Sequence, residues 1–421
     1  MTLSPPIPRP ALHRSVLANG LTVIVVENPV ADIVSARLLI KAGTGQEARS
    51  QAGLFSLLSS LLTKGTHHQS SMEIAERVES VGASLGSDAS ADYSLVSLKT
   101  VTADFAEILA LAAEMVRYPS FPEAELDLER RLTLQSIRSM QEQPFTLAYN
   151  ALRGAMYGEH PYGLPGIGTE ASVNQLSRDD LLQAHSTFYR PDNCVLMVAG
   201  NIKPAPAIAL IEACLGDWQP PAEAIPPRLY PPIPTTSTHQ ILQQPTNQAI
   251  IAVGYLAPSV KESAYAILKL ISTYLGNGLS SRLFVELREK RGLAYDVSAF
   301  YPTRLSHSQF VTHLGTAPDN QAIALEGLRH ETERLGNEGI SAEDLQAAKN
   351  KLLGQYALGK QTNAQLGQLL GWYEVLGLGV EFDKAFQETV RVVTPDDVQA
   401  VAVQYLRDPF TVVLGPHAAA E

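Results

Sequence analysis

Seven prolines crowd into residues 219–236: Pro220, Pro221, Pro226, Pro227, Pro231, Pro232 and Pro234. Such a run is extended and lacks the N–H groups that a sheet interior needs, so it reads as a linker between domains. It divides a chain of 421 residues into nearly equal parts, and that length exceeds one compact core. The parts also repeat one another. Ser177-Arg178-Asp179-Asp180 opens a short amphipathic stretch that runs through Arg190-Pro191 into residues 195–200; Thr394-Pro395-Asp396-Asp397 opens a similar stretch into 410–415. Each block begins with a hydroxyl N-cap and early acids and closes on a glycine, which describes a helix feeding a strand. Residues 123–142 and 341–356 repeat as longer helices at nearly the same offset. Two matches in the same order indicate a duplicated α+β domain: an N-terminal domain at 1–218, the linker at 219–236 and a C-terminal domain at 237–421.

Within the first half, Asn19-Gly20 precedes a β-branched run at 21–27, which reads as a turn entering a buried strand. Residues 34–42 form a second strand. Helices are expected at 53–66, 72–81, 105–116 and 123–142, the last with Asp, Glu and Arg on its wet side. Residues 82–86 read as a turn leading to a strand at 93–100.

An apolar fraction of 45% with 18% charged residues describes an ordinary globular chain, and a net charge of −11 argues against a nucleic-acid or acidic-membrane partner. Cys194 and Cys214 form no metal knuckle or disulfide framework. The lead at 1–10 holds four prolines and no apolar signal core, and no run of eighteen apolar residues occurs, so cytoplasmic solubility is the expectation.

The stretch at 53–66 places Leu54, Leu57, Leu58, Leu61 and Leu62 on one face of a helix, with Ser56, Ser59 and Ser60 between them. Taken alone it is a core helix with a small polar stripe. Its company gives it meaning. Lys64-Gly65-Thr66 closes the helix; His160-Pro161-Tyr162-Gly163 with Gly168, then Tyr189-Arg190-Pro191-Asp192-Asn193, follow; Ser280-Ser281-Arg282-Leu283-Phe284 runs into Leu287-Arg288-Glu289-Lys290-Arg291-Gly292-Leu293-Ala294-Tyr295. Together, over nearly the whole chain, these resemble the insulinase (pitrilysin-type) family of zinc peptidases, in its processing-peptidase class. The resemblance implies two similar domains, each a mainly antiparallel sheet with helices on one face, forming half of a clamshell chamber.

That family's zinc motif is His-x-x-Glu-His on the first helix, with a further Glu on a long later helix. Two His at i and i+4 share a side of a helix, and the intervening Glu activates zinc-bound water. Registered on Lys64-Gly65-Thr66, Ser56 and Ser60 fall at the two His positions and Ser59 at the Glu. Registered on Glu129-Arg130-Arg131, the third ligand falls at Ser136, or at Gln135 one residue earlier. Serine is a poor zinc ligand and no general base near neutral pH. His67 and His68 lie beyond the helix and read as solvent-facing loop residues. Neither zinc nor peptidase activity is therefore expected of this chain alone, zinc being expected in a partner subunit.

The resemblance assigns Arg288 and Tyr295, seven residues apart, to holding substrate: a guanidinium donates to peptide carbonyls, and a phenol donates to a carbonyl oxygen gaining charge. It implies a non-catalytic subunit that binds extended peptide beside a zinc-bearing partner of the same family. The alternative, from another class, is a non-enzymatic homodimeric peptide-binding chamber or scaffold. The loop holding Gly276 and Gly278 reads as a tight turn rather than a substrate-capture loop, and His160 and Tyr162 as parts of an ordered turn.

Overall fold

A computed structural model describes residues 12–416; the proline-rich lead at 1–10, read above as carrying no export signal, lies outside them. The first half contains strands β1 (Leu12–Val16), β2 (Thr22–Glu27), β3 (Val34–Ile40), β4 (Ser84–Ala89), β5 (Ser94–Thr100) and β6 (Cys194–Gly200). Its helices are α1 (Leu54–Leu62), α2 (Ser71–Ser80), α3 (Phe105–Arg117), α4 (Glu123–Gln141), α5 (Pro144–Tyr157), α6 (Glu170–Gln175), α7 (Arg178–Phe188) and α8 (Pro204–Leu215). The second half contains β7 (His239–Gln243), β8 (Ala249–Ala257), β9 (Asp296–Phe300), β10 (Ser308–Thr316) and β11 (Phe410–Gly415). Its helices are α9 (Ala264–Gly276), α10 (Gln321–Glu338), α11 (Ala342–Leu358), α12 (Asn363–Val375), α13 (Phe382–Val392) and α14 (Pro395–Tyr405), with a wide π-type turn at Phe284–Lys290.

The strand orders are β1-β2-β6-β3-β5-β4 and β7-β11-β8-β10-β9. Leaving out β1, the two orders are the same. In each sheet one pair is parallel, β2 with β6 and β7 with β11, and the rest are antiparallel. The protein is thus α+β in two domains, and the repeated blocks fold as equivalents. Ser177 and Thr394 cap α7 and α14 in the same way, each hydroxyl accepting the N–H of the acid three residues on, Asp180 or Asp397. The segment at 82–86, expected to be a turn, belongs largely to β4. Its Ser, Gly and Ala residues have little strand preference, and pairing with β5 from Ser84↔Lys99 to Ala89↔Ser94 imposes the extended form.

The central strands of each sheet are buried on both faces, and the second cover comes from the other half. Val23, Val25, Ala36 and Leu38 face α1, α3 and α8, whereas Ile24, Val26, Leu39 and Met197 join a core with Leu370 and Val375 of α12. Conversely, Ala148, Leu152 and Met156 of α5 pack on Ile250, Ala252, Val412 and Leu414 of the second sheet. Helices α5 and α12 follow the equivalent helices α4 and α11, so the halves exchange corresponding elements. Each seat needs a missing side chain. A Cβ on Gly254 of β8 would lie 2.5 Å from the Met156 Sδ, and one on Gly371 of α12 would lie 2.6 Å from a Leu39 methyl.

Between α8 and β7 the chain has no helix or strand, yet it is strapped down. Arg190 donates to the carbonyls of Pro221 (3.1 Å) and Glu223 (2.6 Å), and Arg228 to those of Lys41 (2.9 Å) and Asp92 (2.8 Å).

Candidate functional site

Helix α1 is held at both ends by polar groups. Glu47 caps its start, its two oxygens accepting the N–H of Gly53 (2.8 Å) and Phe55 (2.7 Å). The carboxyl is almost fully enclosed, and burial pushes it up to about 8 against the opposing pull of those two N–H groups. At the far end Lys64 pairs with Glu129 of α4 at 2.9 Å. Thr66 Oγ1 donates to Glu114 (2.5 Å) and accepts the N–H of His68 and Gln69. Lys64-Gly65-Thr66 is therefore a brace that fixes α1 against α3 and α4.

Inside this brace, Ser60 Oγ donates to the Ser56 carbonyl (3.1 Å) and Ser136 Oγ to the Leu132 carbonyl (3.0 Å), each satisfied by its own helix. Ser59 is buried, and its hydroxyl has no hydrogen-bond partner among the described residues. Beside it lies the phenol of Tyr189, raised above its ordinary range by burial. The donor set is four neutral hydroxyls, two of them already used within their helices, and it does not fit zinc. His67 and His68 are exposed on the turn after α1. Along α4 the row through Ser136 is Leu128, Leu132 and Met140, all exposed. The wet side of this helix, where the sequence places Asp, Glu and Arg, thus also carries an apolar stripe.

Arg288 and Tyr295 lie in the other half. Leu283 and Leu287 are buried and anchor the turn at Phe284–Lys290, leaving Arg288 exposed with its guanidinium 4.9 Å from the Phe284 ring centroid. The Tyr295 N–H donates to Gly315 (2.8 Å) just before β9, an edge strand, while its side chain is 62% exposed. Neither side chain has a hydrogen bond or ion pair among the described residues, so both are free to donate. Ser56, Ser59 and Ser60 share α1, which the Lys64–Glu129 pair ties to α4, while Ser136 is exposed about two turns further along α4; no hydrogen bond or ion pair among the described residues ties these helices to Arg288 or Tyr295.

His160 and Tyr162 sit in an ordered turn. Fully buried, His160 accepts the Tyr162 N–H (3.1 Å) and stacks on Tyr230 at 4.4 Å; burial lowers it to about 4. Tyr162 donates to Asp92 (2.5 Å), which also pairs with Arg228 (3.3 Å) and accepts the Leu305 N–H (3.1 Å). Asp92 is thus a hub linking the first half, the strap and the second half. Sequence reasoning missed it, for Ala91-Asp92-Tyr93 carries no motif. The loop after α9 is pinned to α11: Lys351 reaches the Asn277 carbonyl, and Asn277 donates to Gln355 (2.6 Å).

Comparison with known proteins agrees with the two-domain fold. Residues 22–170 match the family described as insulinase (peptidase family M16), and residues 175–352 match the peptidase M16 inactive domain. An uncharacterized zinc protease of Mycobacterium leprae is 28% identical over 415 residues, covering 96% of this chain and 92% of its own. One from Bacillus subtilis is 25% identical, covering 96% and 98%. Among solved structures, a peptidase M16 inactive domain from Pseudomonas fluorescens superposes with a TM-score of 0.90 at 24% identity, covering 97% of this chain and 99% of that one. A protease from Helicobacter pylori superposes equally well, at 23% identity and 96% and 99% coverage.

Proposed function

The chain belongs to the insulinase (peptidase M16) family, and from that premise we propose that it is a non-catalytic subunit completing the active site of a zinc-bearing partner of the same family. One observation carries the reading: the brace around α1 and α4 is intact while its ligand positions hold Ser56, Ser59, Ser60 and Ser136, and Arg288 and Tyr295 stand exposed with no hydrogen bond or ion pair to their side chains among the described residues. On this reading the chain closes half of a clamshell chamber, and the metal and general base belong to the partner. Arg288 donates to a carbonyl of an extended peptide and orients it. The Tyr295 phenol donates to the carbonyl oxygen that gains negative charge as the peptide is attacked. Strand β9, which Tyr295 precedes, ends its sheet, but α9 lies against that edge, Ser272 and Lys269 donating to the carbonyls of Ala299 and Tyr301, so the peptide is held by the two side chains rather than as a strand added to β9.

The test is reconstitution with a zinc-bearing homologue from the same genome. Arg288→Ala and Tyr295→Phe are each expected to lower peptide hydrolysis by the pair roughly tenfold to a hundredfold, the range for loss of one transition-state donor, with the zinc content of the pair unchanged. Stoichiometric zinc in the isolated chain, or full turnover with both variants, would refute the proposal.

A further inference from the structure

Superposing the order of the two halves shows one position filled in the first and open in the second. The outer edge of β2 is closed by β1, which runs antiparallel to it from Leu12↔Val26 to Val16↔Thr22. The equivalent strand, β7, is the end of its sheet among the described residues. Its bonding directions follow from its neighbour. The Thr238 carbonyl accepts the Thr411 N–H and the Gly415 carbonyl accepts the Gln244 N–H, both at 2.8 Å, so residues 238, 240, 242 and 244 turn toward β11. By alternation, the N–H and C=O of His239, Ile241 and Gln243 turn outward. Native edges of this kind are usually blunted by lysine, proline or a bulge. His239-Gln240-Ile241-Leu242-Gln243 has none of these, and the Ile241 side chain is 40% exposed.

We propose that this edge joins a second copy of the chain, β7 against β7 about a two-fold axis through Ile241. The pairing is self-complementary. With Ile241 opposite Ile241, His239 of each copy falls opposite Gln243 of the other, and every outward N–H meets an outward C=O. Along the paired strands no like charges meet, since His239–Gln243 contains no Asp, Glu, Lys or Arg. Residues directly opposite in an antiparallel pair point to the same face, so each incoming His239 lies over the groove that flanks β7. That groove has a volume of 530 Å³ and is lined by His239, Gln321, Leu325, Arg329 and Val413. Gln321 is buried there, and its Oε1 accepts no hydrogen bond among the described residues; the incoming imidazole supplies a donor. The inference rests on the β7 edge alone and is independent of the peptidase-subunit reading.

The experiment is sedimentation of the full chain at about 100 µM, where even a small interface of this class is populated, with amide exchange measured on the same samples. The wild type is expected to show a doubled mass. Ile241→Lys, which sets two ammonium groups opposite each other, is expected to be monomeric. So is Ile241→Pro, which deletes only an outward N–H and leaves the β11 ladder intact. Amides of His239, Ile241 and Gln243 should exchange slowly in the dimer and fast in Ile241→Lys, while those of Gln240 and Leu242 stay protected in both. A monomeric wild type, a doubled mass retained by both variants, or an unchanged exchange pattern would overturn the proposal.

Discussion

Leu152→Ala tests whether the halves really share a core. Leu152 belongs to the first half by sequence but is fully buried on the second sheet, against Gly254 and beside Met156. Truncation removes three carbons, about 2.4 kcal/mol in transfer terms at roughly 0.8 kcal/mol per methylene. A cavity term adds to this, because the opposing surface is backbone at Gly254 and cannot close in; the sum is about 3–4 kcal/mol, within the range of buried leucine truncations. Trp218 packs in the first core and Trp372 of α12 in the shared one, so the two tryptophans report different regions. Urea unfolding of the variant, followed in the backgrounds Trp218→Phe and Trp372→Phe, should show both transitions moved together to lower urea. A loss below about 1 kcal/mol, small for any buried leucine, would refute the exchange of α5, and so would a shift seen by only one tryptophan.

The buried acid at the start of α1 gives an alkaline dependence. The Glu47 carboxyl is raised to about 8 from an ordinary 4.5, so its contribution is full below pH 4.5 and is lost as pH rises through 8. Melting temperatures of Glu47→Gln between pH 5 and 9 should lack that decline; parallel curves would contradict it. His185 gives the acid side: burial lowers it to about 4 although its bond to the Val116 carbonyl (2.7 Å) opposes this, so its contribution is present above pH 6.5 and lost as pH falls through 4. His185→Gln should flatten the acid limb of the same melting series, and an unaltered limb would count against it. Lys64→Met removes the partly buried pair with Glu129 and should lower stability by about 1 kcal/mol in urea titration; no change would mean the brace is carried by Thr66 alone.

The duplication was legible because Ser177/Asp180 and Thr394/Asp397 repeat a capping chemistry that depends only on local sequence. The α1 face was legible for a similar reason: Leu54, Leu57, Leu58, Leu61 and Leu62 are all buried as their spacing requires. Features set by distant partners were not. Ser84-Leu85-Gly86 is a strand only because β5 holds it, and nothing local marks Asp92 as the meeting point of three segments. The serines at the ligand positions were readable as residues, but the burial of Ser59 and the back-bonding of Ser60 and Ser136 needed coordinates. The exposed Leu128, Leu132 and Met140 were hidden for another reason: in the sequence they alternate with acids and arginines, and an apolar residue on a charged helix is ordinarily assigned to its buried side.

The exchange of α5 and α12 also sets a clock on synthesis. The first sheet is complete in sequence at Gly200, but the helix that covers its second face ends at Val375. At roughly 5–20 residues per second, Ile24, Leu39 and Met197 wait about 10–35 s after their strands have emerged, and α5 waits longer still for a complete sheet, because β11 ends only at Gly415. The nascent first half is therefore a half-clad layer beside an amphipathic helix whose own seat is made later, so the apolar faces of both stay exposed until the second half has been synthesised.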